Sequence, residues 1–286
     1  MPEQRGDRRQ EIVPAGVDAT LALVRHGETD AIVAGRFQGQ ADTVLTATGL
    51  RQAELVGARL AARAPGVGLA ALPLPAGPPS EIAHSPLERT TQTAAAIAAG
   101  FVAAGRPAPS LRSERGLLEI GQGEWEGVHG SDVERRWGDR LASWRREPTS
   151  AWAPGGESLA TVDERVRAAL AVVVATVAAR ARPTSGGSSV PGYRAPIPDD
   201  QPWAILVGHD GVFKVVLLAL LDLPLSSFWR FPFVLAGITI VELRDGRAIL
   251  RAHNLADHLA PLIEGDRAAE RRAEAEAAAR ERAGAL

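Results

Sequence analysis

The chain has 286 residues, 45% of them hydrophobic, enough for one large domain or two small ones around a sizeable core. A formal net charge of -2 supplies no field to draw in nucleic acid or an anionic membrane. Cysteine is absent, which excludes disulfides, thiolate metal sites and cysteine nucleophiles. No run of about 18 apolar residues is present. The first residues are charged and lack an apolar stretch of signal-peptide length. A soluble cytoplasmic protein is the expectation.

Residues 1–18 carry many charges and no periodicity and read as a disordered arm ahead of a folded domain over 19–263. Leu21-Ala22-Leu23-Val24 reads as a strand buried on both faces. Arg25, His26 and Gly27 follow at once. Ligands of open α/β sheets sit beyond the carboxyl ends of the strands. Arg25 and His26 therefore fall where chemistry is expected, and Gly27 lets backbone and ligand approach closely. Glu28 and Thr29 suit an irregular segment leaving the strand. Residues 30–45, with Gly35 and Gly39, predict a loop that would shape specificity. Residues 46–63 place Leu50, Ala53, Val56 and Leu60 at helical spacing behind Thr46 as N-cap.

A connection rich in Pro and Gly covers 64–79, and residues 81–84 predict a short strand. Ser85-Pro86-Leu87-Glu88 then reads as a helix start, with Ser85 at the N-cap, Pro86 at the first helical position and Glu88 as capping-box partner. That helix runs to residue 99 and carries Arg89 in its first turn, where free N–H groups and the dipole attract anions. Residues 111–115 predict a strand. Residues 117–127 form a turn-rich segment bearing Glu119, Glu124, Trp125 and Glu126, and 131–144 a helix. Gly155-Gly156-Glu157 leads into a long helix with Leu159, Val162, Val166, Leu170, Val173 and Val177 on one face.

Residues 183–202, rich in Pro, Gly and Ser, read as a flexible loop. Trp203-Ala204-Ile205-Leu206-Val207 is a second buried-type strand, followed by Gly208-His209-Asp210-Gly211 and an apolar helix over 212–221. Residues 238–243 and 248–253 read as a hairpin turned at Arg244-Asp245-Gly246. The tract 264–286, dominated by Ala, Glu and Arg, reads as a charged helix or tail. Strands alternating with helices predict an α/β three-layer sandwich, its mostly parallel central sheet flanked by helices.

Two buried-type strands thus end in His26 and His209, and a third, ending near His84, is followed by Arg89. Sheet geometry would gather these ends into one crevice with two imidazoles and two guanidiniums, Arg25 and Arg89. Such a crevice fits a dianionic tetrahedral group, because Arg offers planar paired donors to phosphate oxygens. A metal site on His26 and His209 lacks a carboxylate motif at ligand spacing, so no metal is expected. His84, His129, His253 and His258 read as structural or surface residues, and Trp125 as packing.

Arg25-His26-Gly27-Glu28-Thr29 resembles the opening motif of the histidine phosphatase superfamily, also called the phosphoglycerate mutase-like family. Similar to that family as well are Gly35-Arg36-Phe37-Gln38-Gly39-Gln40, Leu45-Thr46 through Gln52-Ala53, and Ser85-Pro86-Leu87 through Arg89 and Gln92-Thr93-Ala94. So are Leu118-Glu119 with Gly123-Glu124-Trp125-Glu126-Gly127, Gly155-Gly156-Glu157-Ser158, and Val207-Gly208-His209-Asp210-Gly211. The order and spacing of these motifs, over residues 21–259, make the resemblance specific.

The resemblance implies a phosphoglycerate mutase-like fold and a phosphomonoesterase acting on a small phosphorylated metabolite. His26 would attack phosphorus and carry the phosphoryl group as phosphohistidine, splitting one displacement into two. Arg25, Arg89 and His209 would neutralise the oxygens on which charge spreads. Glu119, at the acidic position of the Leu-x-Glu segment, would protonate the leaving alkoxide and later take a proton from water. Gln38 would donate to the phosphate, with Gly27, Thr29, Arg36 and Asp210 also on the substrate-binding side. No cofactor is implied, and the Arg and His charges stand in for a metal. The implied partner is a small-molecule phosphate ester, without nucleic acid or membrane, and a homodimer stays open.

Two positions depart from the family pattern. Ile32 stands where the family often has Asn, and isoleucine cannot hydrogen-bond. Asp210 stands where a Gly is common. Either its carboxylate turns away and only its N–H faces in, or the pocket prefers a less charged ligand. Mutase chemistry and non-catalytic phosphate binding are the rival readings. The short stretch from Gly127 to Gly155 favours hydrolysis, because mutases of the family resemble longer-lidded chains that shield the phosphohistidine from water.

Overall fold

β1 (Ala19–Arg25) is buried along its length except at its last residue, as its apolar run Leu21–Val24 requires in a sheet covered on both faces. The computed structural model describes residues 12–62, 70–180, 196–262 and 265. The other strands are β2 (Ile82–His84), β3 (Leu111–Ser113), β4 (Trp203–Gly208), β5 (Ile238–Arg244) and β6 (Arg247–Leu255). They form one sheet in the order β3-β2-β4-β1-β5-β6. The first four positions pair in parallel, and β5 and β6 extend the sheet antiparallel. The expected α/β class with a mostly parallel central sheet is what the chain adopts.

The register positions the site. Val24 pairs with Val207 and Arg25 with Gly208, while His84 pairs with Val207 on the other side of β4. The residues that follow β1, β4 and β2 therefore emerge side by side at one edge of the sheet, namely His26, His209 and Ser85. The β5–β6 hairpin closes on Asp245 and Gly246, with φ of 47° and 73°. Two successive positive φ values are what a two-residue type I′ turn demands, and Asp-Gly supplies them.

The helices are α1 (Asp30–Val33), α2 (Ala47–Ala61), α3 (Glu88–Ala103), α4 (Gly130–Arg146), α5 (Leu159–Ala178) and α6 (Asp210–Leu220). Side chains of a strand alternate between faces. Leu21 and Leu23 pack in one core with Val166, Leu170 and Val216 of α5 and α6. Ala22 and Val24 pack in the other with Val56 and Ile97 of α2 and α3. A smaller apolar cluster joins Trp125, Val133, Leu141 and Ala153 under α4, which is kinked at Trp137. α2 and α3 touch through their backbones, since a Cβ on Gly100 would stand 2.5 Å from the carbonyl carbon of Gly57.

Several local expectations are corrected. Residues 30–45 are not all loop, because Thr29 caps the short α1, its Oγ1 accepting from the Ile32 N–H at 3.4 Å. Thr46 caps α2 as predicted, accepting from Gly49 N–H at 2.9 Å, and Ala53, Val56 and Leu60 are buried, but Leu50 is 43% exposed. Ser85 is not an N-cap. α3 begins at Glu88, with no side-chain bond from its N-cap residue, and the remote Asp42 carboxylate accepts the Glu88 N–H at 2.8 Å. Ile12 and Val13, within the segment read as an arm, are buried against the α5–α6 core. The readings for residues 1–11, for the loop over 183–195 and, apart from Gly265, for the tail over 264–286 lie outside the described residues. Among the described residues no helix is long and apolar enough to cross a membrane.

Candidate active site

The chain turns sharply after β1, and hydrogen bonds hold that turn on two sides. The His26 N–H donates to the Gly208 carbonyl at 3.0 Å, and the Ala236 N–H donates to the carbonyls of Arg25 and His26 at 3.1 and 3.2 Å. Gly27 is required here by a close approach, since a Cβ would lie 2.4 Å from the Gly49 carbonyl oxygen. The Gly27 N–H donates to Thr93 Oγ1 at 3.3 Å.

The His26 ring is 2% exposed, and its Nδ1 lies 2.7 Å from the Gly27 carbonyl oxygen. A carbonyl only accepts, so Nδ1 carries the proton and Nε2 keeps its lone pair. Burial, then the charges of Arg89 and Arg25, lower the His26 pKa well below 6.5 against the pull of the Gly27 carbonyl. The ring is therefore neutral near pH 7, which an attacking nitrogen needs.

The His209 ring meets the His26 ring edge-on, with centroids 5.1 Å apart. Arg89 Nε donates to His209 Nδ1 at 3.2 Å, and His209 Nε2 lies 2.9 Å from Ser85 Oγ. An arginine Nε–H can only donate, so Nδ1 is the unprotonated nitrogen and the Nε2–H donates to Ser85. Burial first, then Arg89, lowers the His209 pKa well below its ordinary value.

Arg89 is fully buried. Its Nη2 donates to the Gly39 carbonyl at 2.8 Å, and its Nη1 to the Ala41 carbonyl at 2.8 Å and Thr43 Oγ1 at 3.3 Å. Burial pulls the guanidinium down to about 10, so it stays charged at neutral pH. Arg25 is half-buried. Its Nη1 donates to the Phe233 carbonyl, while its buried Nε–H has no acceptor among the described residues.

Gln38 sits on the loop that Arg89 grips. Its Oε1 accepts from Thr29 Oγ1 at 2.9 Å and Thr43 Oγ1 at 2.7 Å. With the carbonyl end occupied by two hydroxyls, the amide N–H groups remain as donors for a ligand. The Glu119 carboxylate rests on the start of α6. Oε1 accepts from the Ile120 and Val212 N–H groups at 2.9 Å each, and Oε2 from the Gly211 N–H at 3.1 Å. A Cβ on Gly211 would stand 2.6 Å from Glu119 Oε1, so a side chain there would push the carboxylate aside.

The fold thus brings His26, His209, Arg25, Arg89 and Gly27 together, sets the Glu119 carboxylate on the Gly211 and Val212 N–H groups just past His209, and pins Gln38 through Thr29. Arg36 stands apart. It is exposed, and its Nη1 donates to the Gly127 carbonyl at 2.7 Å. The Asp210 carboxylate accepts from the Phe233 N–H and pairs with Lys214. Ile32 is half-buried on α1.

Ser85, Thr43 and Thr93 were not singled out from sequence as site residues, because His209, Arg89 and the Gly27 N–H, which they contact, lie on other elements. Nor was a supporting layer behind Glu119. Its carbonyl accepts from Gln40 Nε2 and Arg165 Nη2, each at 3.0 Å, and Glu157 binds Arg165 through both oxygens.

Two neutral imidazoles beside two cationic guanidiniums can hold a tetrahedral dianion and present it to a nitrogen lone pair. The model for the histidine phosphatase superfamily (branch 1) matches residues 21–182 and 195–256. Phosphoserine phosphatase 1 of Hydrogenobacter thermophilus is 28% identical over 239 residues, covering 84% of this chain and 93% of that protein. Glucosyl-3-phosphoglycerate phosphatase of Mycobacterium tuberculosis is 31% identical over 209 residues, covering 73% of this chain and 78% of that protein. A mycobacterial glucosyl-3-phosphoglycerate phosphatase solved in complex with VO3 superposes with a TM-score of 0.62 at 30% identity, covering 83% of this chain and 99% of that one. Fold, site and kinship define a phosphoric monoester hydrolase. The chain belongs to the histidine phosphatase superfamily.

Proposed function

We infer that the chain hydrolyses monophosphate esters of small metabolites through a phosphohistidine on His26, without a metal, in the cytoplasm. The observation that carries this reading is the state of His26. It is buried and neutral, its Nδ1–H is spent on the Gly27 carbonyl, and two guanidiniums lie near enough to lower its pKa. The lone pair on Nε2 attacks phosphorus as the P–O bond to the leaving group breaks. Glu119 gives its proton to that departing alkoxide. Water then attacks the phosphohistidine, Glu119 takes the water's proton, and the P–N bond breaks to restore His26. Arg25, Arg89 and the Gln38 amide meet the charge on the phosphoryl oxygens, and the neutral His209 ring stands edge-on against the attacking imidazole. The named relatives act on phosphoserine and glucosyl-3-phosphoglycerate, which supports a small polar phosphate ester as substrate.

Hydrolysis of an aryl phosphate, followed for wild type and His26→Ala, tests the reading. Wild type should turn over and carry an acid-labile phosphoryl label; the variant should lose both, with activity down by about 1,000-fold or more. Turnover that survives the substitution would overturn it, as would exchange of 2- and 3-phosphoglycerate without phosphate release.

A further inference from the structure

Asp210 follows His209 directly, so an acidic side chain stands beside a site built for an anion. Its charge is directed elsewhere. Oδ1 accepts from the Phe233 N–H at 3.2 Å, and Oδ2 pairs with Lys214 Nζ. Lys214 is 4% exposed, and its Nζ lies 5.4 Å from the ring centroids of both Phe228 and Trp229. A buried ammonium with aromatic faces and one carboxylate around it is a fixed counter-charge, so Asp210 is neutralised locally.

Phe233 is also the residue whose carbonyl receives Arg25 Nη1. The next N–H, that of Val234, donates to Asn254 Oδ1 at 2.7 Å. The Phe233 carbonyl and the Val234 N–H belong to one planar peptide unit. Whatever fixes the N–H also fixes the carbonyl. Asn254 holds a φ of 57°, a left-handed conformation that asparagine tolerates better than most residues. It lies where the β5–β6 register is irregular, between Ile238 and Ile240. Gly237 makes room for it, since a Cβ there would stand 2.7 Å from Asn254 Oδ1.

The geometry points to Asn254, through the Phe233–Val234 peptide, and Asp210, through the Phe233 N–H on the peptide before it, as positioning residues that fix Phe233 and so aim the Arg25 guanidinium at the phosphoryl group. This rests on the reading that Arg25 binds that group. Arg25 donates to no other protein acceptor among the described residues, and its Nε–H is unspent. The Phe233 carbonyl is therefore its one anchor. A planar donor fork grips phosphate only in a narrow range of orientations, so a loose anchor weakens binding before it changes chemistry.

A double-mutant cycle separates aiming from general support. Asn254→Gly keeps the left-handed backbone and removes only the acceptor. Asp210→Ala combined with Lys214→Met removes the other clamp without stranding a buried cation. Each should lower kcat/KM for an aryl phosphate, and weaken vanadate inhibition, by about 10- to 100-fold, the loss expected from a misplacement near 1 Å. In an Arg25→Ala background the same changes should cost nothing further. Equal losses with and without Arg25 would overturn the proposal, and so would full vanadate affinity in Asn254→Gly. Full activity of Arg25→Ala alone would overturn the role of Arg25 itself, and that single variant tells the two failures apart.

Discussion

His209 illustrates how one residue's state is set by partners. Arg89 Nε–H cannot accept, so it imposes a lone pair on Nδ1 and sends the imidazole proton to Ser85. Ser85→Ala leaves that buried N–H without an acceptor, at about 1–3 kcal/mol. The 15N shifts of the His209 ring should then change and kcat/KM should fall, with Ser85→Thr restoring both. Unchanged ring shifts alongside undiminished turnover would sink the assignment. Glu119 makes a different prediction. If it is the proton donor, Glu119→Gln should slow hydrolysis of an alkyl phosphate by about 100- to 10,000-fold. An aryl phosphate, whose leaving group needs no proton, should suffer far less. Equal slowing of both esters would argue for a purely structural carboxylate.

At the scale of elements, the site is a product of register. β1, β4 and β2 run parallel and end level, so three consecutive strand ends deliver His26, His209 and Ser85 to one place. The loop after β1 is pressed against α2 at a double-glycine contact. A Cβ on Gly49 would lie 2.1 Å from the Glu28 carbonyl oxygen. Gly49→Ala must push that loop away, and overpacking of this kind costs about 1–3 kcal/mol. Its melting temperature and its kcat should fall together, because the displaced loop carries His26 and Thr29. A variant of wild-type stability and activity would show that the contact relaxes freely. Much at this scale was legible beforehand. The Thr46 cap, the Asp245-Gly246 turn and the buried β1 and β4 runs each depend on a few adjacent residues. Ser85 misled because Ser-Pro-x-Glu is a sound helix start in isolation. Its hydroxyl instead serves a histidine 124 residues away, and Asp42 serves the helix.

For the molecule as a whole, histidines that are buried or half-buried tie stability to pH. The pKa values of His26, His209, His253 and His258 are all lowered, with burial the largest cause in each. The native state keeps these rings neutral, whereas the unfolded chain protonates them near 6.5. Below 6.5 the unfolded state binds more protons, so stability falls as pH falls towards the lowered native values. Above that range these groups contribute no slope. The melting temperature should drop from about pH 7.5 to about pH 5, less steeply in His258→Gln. A flat or rising profile would contradict neutral burial. Vanadate, five-coordinate like the transferring phosphoryl group, should inhibit strongly, and EDTA should not; loss of activity on chelation would contradict a metal-free reaction.

Local chemistry by itself determined the main succession of strands and helices, the Thr46 cap, the hairpin turn, and which strands would end in His26 and His209. Those features follow from periodicity and from hydrogen bonds that close within a few residues. The tertiary structure alone decided what each polar group faces. It sent the Asp210 carboxylate to the Phe233 N–H, gave Arg89 the carbonyls of Gly39 and Ala41, and turned Leu50 outward. The polar pairings link residues far apart in the chain, and the folded sheet supplies the proximity that makes them.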